Sequence, residues 1–388
     1  MGEAHNRVKV AILIPCLKRG GTELQSLSLS AVLRSCSLSV QVICYFEYDE
    51  LVVEDFKNAG VEVKLLNLNR ESGCLRLINN LWQEIRSEKP DNVNVQYMAP
   101  GALPIIAARL AGVKTIFATV HQPYTTSHGL LAKLILRAVS ILATKFISVS
   151  QNAEKSWFGA STLFDETKPL KLHPHHFTIH NSIDTDKISK IVSEVSISEL
   201  KSELYIPADI PVIGAVSRLR QEKGIDILLE AFTLLVRSGE RAHLLLVGSG
   251  PDEKKLEETV QTYGLTSSIT LYGEADWAKA MQLMSIMDII AIPSLFEGFG
   301  LSAVEAMAMG KPVIASDTSG LKEVVVHGET GFLFPVGNVT TLKVAIEKLI
   351  REPQLRERLG TTGKERVLKN FSLDLYNRKI KVLYNIQP

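Results

Sequence analysis

Short, nearly continuous apolar runs alternate along this chain with longer segments whose apolar residues recur at helical spacing. "VKVAILIPCL", "VQVICYFE", "VEVKLLNL", "NVNVQYM", "KTIFATVHQP" and "KFISVSQN" read as buried strands. "GGTELQSLSLSAVLRS" and "LRLINNLWQEIRSEKP" read as helices between them, the second ending at Pro90. Strands apolar on both faces, separated by amphipathic helices, predict a parallel sheet covered on both sides. The pattern runs from residue 8 to about 182.

A polar, serine-rich stretch, "IDTDKISKIVSEVSISELKSELYIPADIP", follows and closes on two prolines, which marks it as the crossing between domains. The alternation restarts with "PVIGAVS" and continues through "AHLLLVGSG", "SITLYG", "DIIAIPS" and "KPVIASD". Helices such as "GIDILLEAFTLLVRSG" and "LSAVEAMAMG" fall between these strands. The expected fold class is α/β: two doubly wound Rossmann-like domains, residues 1–188 and 189–371, facing across a cleft. The aromatic-rich helix of 372–388 is expected to pack back on the first domain. Ligands of such sheets sit outside the carboxyl ends of the strands, so the loops that follow strands are where chemistry is sought.

Composition narrows this only a little. The 388 residues suit two cores, and the net charge of +1 excludes a polyanion binder, so no nucleic-acid partner is expected. Residues 114–171 carry seven Lys and Arg against three Asp and Glu, which reads either as a surface facing something anionic or as a solvated basic face. None of the four cysteines forms a CxxC pair; Cys16 and Cys44 lie in strand-like runs and read as core fillers of a cytoplasmic protein. The first apolar run is too short and too β-branched for a signal peptide, and no apolar stretch is long enough to cross a membrane.

The densest chemistry lies in "SLFEGFGLSAVEAMAMG", where Glu297 and Glu305 stand eight apart with Gly298 and Gly300 between them. The glycines preclude one continuous helix across both glutamates, so the helix is placed from Leu301. Glu297 then sits in the loop at a strand end and Glu305 in the second helical turn. The amides of Phe299 to Ser302 form a helix N-terminus with little bulk around it, suited to phosphate. Carboxylates on either side of an anion pocket suit a ligand with phosphates in its middle and hydroxyls at its ends; a glycine-rich loop with an exposed glutamate is the plain structural reading. "SRLRQEKG" places Arg218 and Lys223 in another loop after a strand, where they can neutralise a diphosphate or simply be solvated. "LKRGGTELQ" brings Gly20 and Gly21 between the first strand and its helix, which permits close backbone approach to a ligand. His121 in "TVHQPY" follows a strand and reads equally as a site residue or as a satisfied loop histidine. Two metal-like patterns are weak. "DTD" at 184–186 lacks a preceding strand, and "HPHH" with His173, His175 and His176 has no second ligand cluster, so no metal site is expected.

Together these pieces resemble the retaining glycosyltransferases of family 4, nucleotide-sugar enzymes of GT-B fold, over nearly the whole chain and most densely from 212 to 335. The family's E-x7-E signature stands here as "EGFGLSAVE", its arginine–lysine pair as "SRLRQEKG", its first glycine loop as "KRGGTE" and its central turn as "HNSID". "ASDTSGLKEVVVHGETGFLF" matches the stretch beyond the signature. Ser182 replaces the usual glycine of the central turn, which leaves the geometry at Asn181 open, and Thr318 and Ser319 replace small or glycine residues after Asp317.

The resemblance implies a role for each matching residue. Glu297 would hold hydroxyls of the donor sugar and Glu305 those of the ribose. The amides from Gly298 through Phe299 and Gly300 to Leu301 would take the distal phosphate. Arg218 and Lys223 would bind the diphosphate and stabilise its leaving charge, Asp276 would approach the base, Gly21 would approach the donor from the other domain, and His121 would contact the donor sugar. Catalysis would rest on Glu297, His121, Arg218 and Lys223, without metal or other cofactor, with domain closure completing the site. The expected reaction moves a hexose from a nucleoside diphosphate sugar, UDP-linked rather than GDP-linked, to a saccharide or lipid-linked acceptor in bacterial surface polysaccharide synthesis. A nucleotide-sugar epimerase of the same fold and a non-catalytic nucleotide-sugar binder are the alternatives. The segment 127–146, with Lys133, Arg137 and Lys145 among apolar residues, reads either as a helix covering the first sheet or as one lying against the inner face of a membrane.

Overall fold

The computed structural model describes residues 8–96 and 102–386. The last two residues of the strand read as "NVNVQYM" and the final two of the C-terminal segment lie outside them. The chain divides into two compact units, Met1–Asn181 with Tyr376–Pro388, and Ser182–Leu375.

Among the described residues the first unit holds seven parallel strands: β1 Lys9–Ile14, β2 Ser39–Cys44, β3 Glu62–Leu65, β4 Asn92–Gln96, β5 Thr115–Val120, β6 Lys145–Ser148 and β7 His176–Thr178. They lie in the order β3-β2-β1-β4-β5-β6-β7. The second holds six: β8 Val212–Val216, β9 His243–Val247, β10 Ile269–Gly273, β11 Ile289–Ile292, β12 Val313–Ser316 and β13 Gly331–Phe334, in the order β10-β9-β8-β11-β12-β13. Both are the doubly wound sheets expected from the alternating pattern. The central strands are buried on both faces, which is why they read as unbroken apolar runs. Each order reverses at one place, between β1 and β4 and between β8 and β11, and the crevices of a doubly wound sheet open at such reversals.

The serine-rich stretch is not a bare crossing. It forms two helices of the second unit, Thr185–Ser193 and Ile197–Glu203. Asp184 and Ser196 cap them by accepting from the amides of Lys187 and Glu199, and Ile188 and Leu200 are their buried anchors. The division falls at Asn181 rather than after 188, because these capped helices pack within the second unit. The helix Leu373–Leu383 carries the chain into the first unit from Tyr376 onward. There Ile380 and Leu383 are buried and the Tyr384 ring meets Phe117 edge-on at 4.8 Å.

Cys44 is buried, and burial pushes its thiol up to about 12. Cys16 lies beyond the end of β1, half-buried, with its Sγ 3.6 Å from Glu23 Oε1, so it is a loop residue rather than a core filler. Among the described residues no helix is long and apolar enough to cross a membrane.

Candidate functional site

In the second unit the loops after β8 and β11 meet at the reversal of strand order, and they carry Arg218, Lys223 and Glu297. The approach depends on a glycine. Gly224 is left-handed at φ +61, and a Cβ there would come within 2.2 Å of the Pro293 carbonyl oxygen. The Leu295 amide donates to the Glu222 carbonyl across the same junction at 2.8 Å. The result is an ion pair between residues 74 apart in sequence: Lys223 Nζ lies 2.6 Å from Glu297 Oε2. Ser294 Oγ donates to the same carboxylate oxygen at 3.3 Å. Arg218 stands exposed in the same loop as Lys223.

The helix predicted from Leu301 spans Leu301–Ala308. Gly300 caps it at φ +100, where a Cβ would meet the Leu321 side chain at 2.6 Å. Phe299 is buried and meets the Phe371 ring edge-on at 5.4 Å, so its aromatic side chain anchors the loop within the second unit. The Ala303 and Val304 amides close back on the Gly300 carbonyl, and the helix opens at Leu301, four residues past Glu297. Gly320 supports the loop from below. Its amide donates to the Glu297 carbonyl at 3.1 Å, and a Cβ on it would lie 2.5 Å from both Gly298 O and Phe299 Cα.

Glu305 is buried on the inner side of the same helix and accepts a hydrogen bond from Trp277 Nε1 at 2.9 Å. Burial raises its carboxyl above the ordinary value and the indole donor opposes this. Trp277 opens the helix Trp277–Ser285 after β10, with the Lys187 ammonium over its ring at 4.9 Å. Asp276 caps that helix by accepting from the Lys279 amide at 2.8 Å. The structure therefore gives Asp276 a local task and brings its neighbour Trp277 to Glu305. Sequence reasoning missed Trp277, whose contact joins residues 28 apart on different helices; an indole donor one residue past the proposed base contact was the available signal. It also missed the packing task of Gly248 and Gly250 in "GSG". A Cβ at either would meet the carbonyl oxygen of Ser217 at 1.9 Å or of Leu219 at 2.2 Å. These glycines let the loop after β9 press against the loop that carries Arg218.

In the first unit Gly21 is the exposed first residue of the helix Gly21–Ser35, which follows β1 after the loop 15–20. His121 follows β5 and is buried; its Nε2 lies 2.6 Å from Gln96 Oε1 at the end of β4. Gln96 Nε2 donates to Asn94 Oδ1 at 2.7 Å, and Asn94 Nδ2 donates to the Tyr384 hydroxyl at 2.8 Å. Because Gln96 spends its amide protons on Asn94, its carbonyl accepts from His121, which puts the imidazole proton on Nε2 and the lone pair on Nδ1. Burial pushes the His121 pKa down to about 4, so the ring is neutral at physiological pH.

The weak metal patterns have structural employment. Asp184 is a helix cap. His173 Nε2 accepts from the Asp165 amide, His175 Nε2 meets the Ser140 carbonyl, and His176 Nδ1 lies 2.6 Å from the buried Glu154. Ser182 has no positive φ, so the central turn does not need the glycine it lacks. Ser319 does sit at φ +35, so that departure from the family pattern places a side chain in the left-handed region.

Comparison with known proteins bears on the family and the fold. Residues 196–366 match the family model described as glycosyl transferases group 1, and residues 19–159 match glycosyltransferase family 4. The chain is 33% identical over 174 residues to the capsular polysaccharide biosynthesis glycosyltransferase CapM of Staphylococcus aureus, covering 45% of this chain and 46% of that one. It is 25% identical over 310 residues to the N-acetyl-alpha-D-glucosaminyl L-malate synthase of Bacillus anthracis, covering 80% and 78%. The chain spans about half the length of several curated relatives it matches, CapM among them. Its fold is similar to that of Anabaena HepE in complex with UDP-glucose, with TM-score 0.80 at 23% identity over 97% of this chain and 99% of that one. Two Rossmann-like sheets, two adjoining family matches and a fold neighbour over nearly its full length converge: the chain belongs to the family 4 glycosyltransferases of GT-B fold.

Proposed function

We propose that this glycosyltransferase transfers a hexose, with retention of anomeric configuration and without a metal, from a UDP-sugar to a saccharide or lipid-linked glycan acceptor. Bacterial surface polysaccharide assembly on the cytoplasmic side is the setting, in keeping with CapM. The observation that carries the reading is the juxtaposition of Lys223, Glu297 and the N-terminus of the helix Leu301–Ala308 at the strand reversal of the second unit. A cation beside a helix N-terminus suits the diphosphate, and a carboxylate beside them suits sugar hydroxyls. The second unit is accordingly the donor-binding one and the first the acceptor-binding one.

In the proposed step the bond from the sugar C1 to the β-phosphate oxygen breaks and its electron pair stays on that oxygen. The acceptor oxygen forms the new bond to C1 on the same face and its proton passes to the departing phosphate. Negative charge grows on the diphosphate, where Arg218, Lys223 and the loop amides are held in advance. Lys223 first exchanges some of its contact with Glu297 for phosphate, which frees Glu297 for the donor sugar. Glu305 takes ribose hydroxyls, with Trp277 holding its carboxylate in place. His121, a neutral acceptor at Nδ1, serves the donor sugar, and Gly21 leaves room for the donor's phosphates.

UDP is favoured because the fold neighbour HepE was solved with UDP-glucose. The test is a panel of UDP- and GDP-sugars assayed for thermal stabilisation and slow release of free sugar. Stabilisation by UDP-sugars with release of UDP is expected. Accumulation of an isomerised nucleotide-sugar would favour the epimerase, and binding without any release would favour the non-catalytic binder.

A further inference from the structure

The helix Gly129–Ser140 of the first unit has one face in the core, through Leu136 and Ser140. The opposite face is apolar and exposed. Leu130 is 73% exposed, Leu131 70% and Leu134 61%; Ile135 and Ala138 continue the face, and Ile141 and Leu142 extend it past the helix end. At 100° per residue these seven positions fall within an arc of about 140°. Single exposed leucines are ordinary, but a contiguous stripe of this kind marks an interaction surface.

The charged residues on the helix itself are of one sign. Lys133 and Arg137 lie on its shoulder, Lys133 over the Tyr124 ring at 4.6 Å and Arg137 donating to the Trp157 carbonyl at 2.6 Å. Arg109 holds the Leu142 carbonyl at the far end and bonds the carbonyl of exposed Lys114. Between residues 92 and 164 the chain has six Lys and Arg but only one acidic residue, Glu154, which is buried against His176 and Thr178. A two-fold contact between copies of this helix would bring like charges together with no acid of the helix to pair them. An anionic lipid surface meets both features at once: acyl chains take the leucines and headgroups take the cations.

We infer that this face docks the protein peripherally on anionic membrane, the seven apolar side chains entering the boundary between headgroups and acyl chains while Lys114, Lys133 and Arg137 pair with headgroup phosphates. The inference stands independently of the donor chemistry. It is tested by sedimenting the full-length protein with phosphatidylcholine vesicles, with and without phosphatidylglycerol, alongside a Leu131→Gln/Leu134→Gln variant; glutamine keeps helix propensity. The wild type should sediment with the anionic vesicles and much less with the neutral ones, and salt should weaken it. The variant should bind at least about tenfold less while keeping the wild-type thermal shift with UDP-sugar. Wild-type protein that stays in the supernatant, or a variant that sediments equally well, overturns the proposal. If light scattering shows a wild-type dimer that the variant converts to monomer, with no vesicle binding by either, the face is an interface between copies instead.

Discussion

Gly320→Ala isolates the geometric demand of the glycine loop 298–300 from the chemistry proposed for it. Gly320 has an ordinary helical backbone, φ −67, so alanine brings no conformational strain of its own. The cost is steric: the new Cβ would lie 2.5 Å from Gly298 O and Phe299 Cα, where ordinary contact begins at 3.4 Å. Both obstacles are backbone atoms, which cannot rotate away. Relieving the overlap displaces the Gly298–Phe299 loop by about 0.9 Å, and misplacement of that order costs about a hundredfold in rate at a preorganised site. Gly360→Ala is the control. Its Cβ would meet the Gly310 carbonyl oxygen at 1.9 Å, a comparable clash between the helix Pro353–Asn370 and the end of the signature helix, away from the glycine loop. Both variants should unfold at lower temperature. Donor affinity and turnover, measured by calorimetry and nucleotide release on folded protein, should collapse only in Gly320→Ala. If Gly320→Ala turns over within twofold of wild type, or Gly360→Ala loses as much, the loop is not the preorganised element described here.

Three further outcomes follow from particular contacts. Glu305 is protonated more readily in the folded chain than in the unfolded one, so its contribution to stability is fully present below its unfolded pKa and is lost as pH rises through the raised folded value. Glu305→Gln should therefore be at least as stable as wild type at pH 7, with a flatter stability profile above the ordinary glutamate range, yet bind UDP about tenfold more weakly. Ser319→Gly should stabilise the protein by about 0.5–1 kcal/mol in denaturant melts, by relieving the left-handed serine less the added freedom of glycine in the unfolded chain. Gln96→Leu should remove the acceptor that holds the proton on His121 Nε2. Nitrogen NMR should then show a mixture of imidazole tautomers in place of one, and turnover should fall more than UDP affinity.

The alternation of apolar strands and amphipathic helices made both sheets legible, because parallel strands buried on two faces leave a signature that local reading detects. The start of the signature helix was legible too, since Gly298 and Gly300 exclude a helix and leave Leu301 as its first residue. What local reading lacks is the order of strands. The meeting of Lys223 with Glu297 exists because β8 and β11 are neighbours, the contact of Trp277 with Glu305 joins two helices, and the chain from His121 to Tyr384 spans the first sheet and the end of the sequence. The packing role of Gly320 depends on a distance between backbones that no spacing encodes. The stretch from 182 to 203 misled for a different reason: its serines and aspartates are helix caps, and caps share their composition with linkers.

The central claim is that the second unit breaks a nucleotide-sugar by stabilising charge on the departing diphosphate with Arg218 and Lys223. Its most direct test is UDP release from UDP-sugar, followed by phosphorus NMR in wild type, Arg218→Ala and Lys223→Ala at saturating donor. The account predicts measurable release by the wild type and a loss of at least about a hundredfold in kcat in each variant, as removal of preorganised transition-state stabilisation requires. Turnover retained at the wild-type rate in either variant would contradict it.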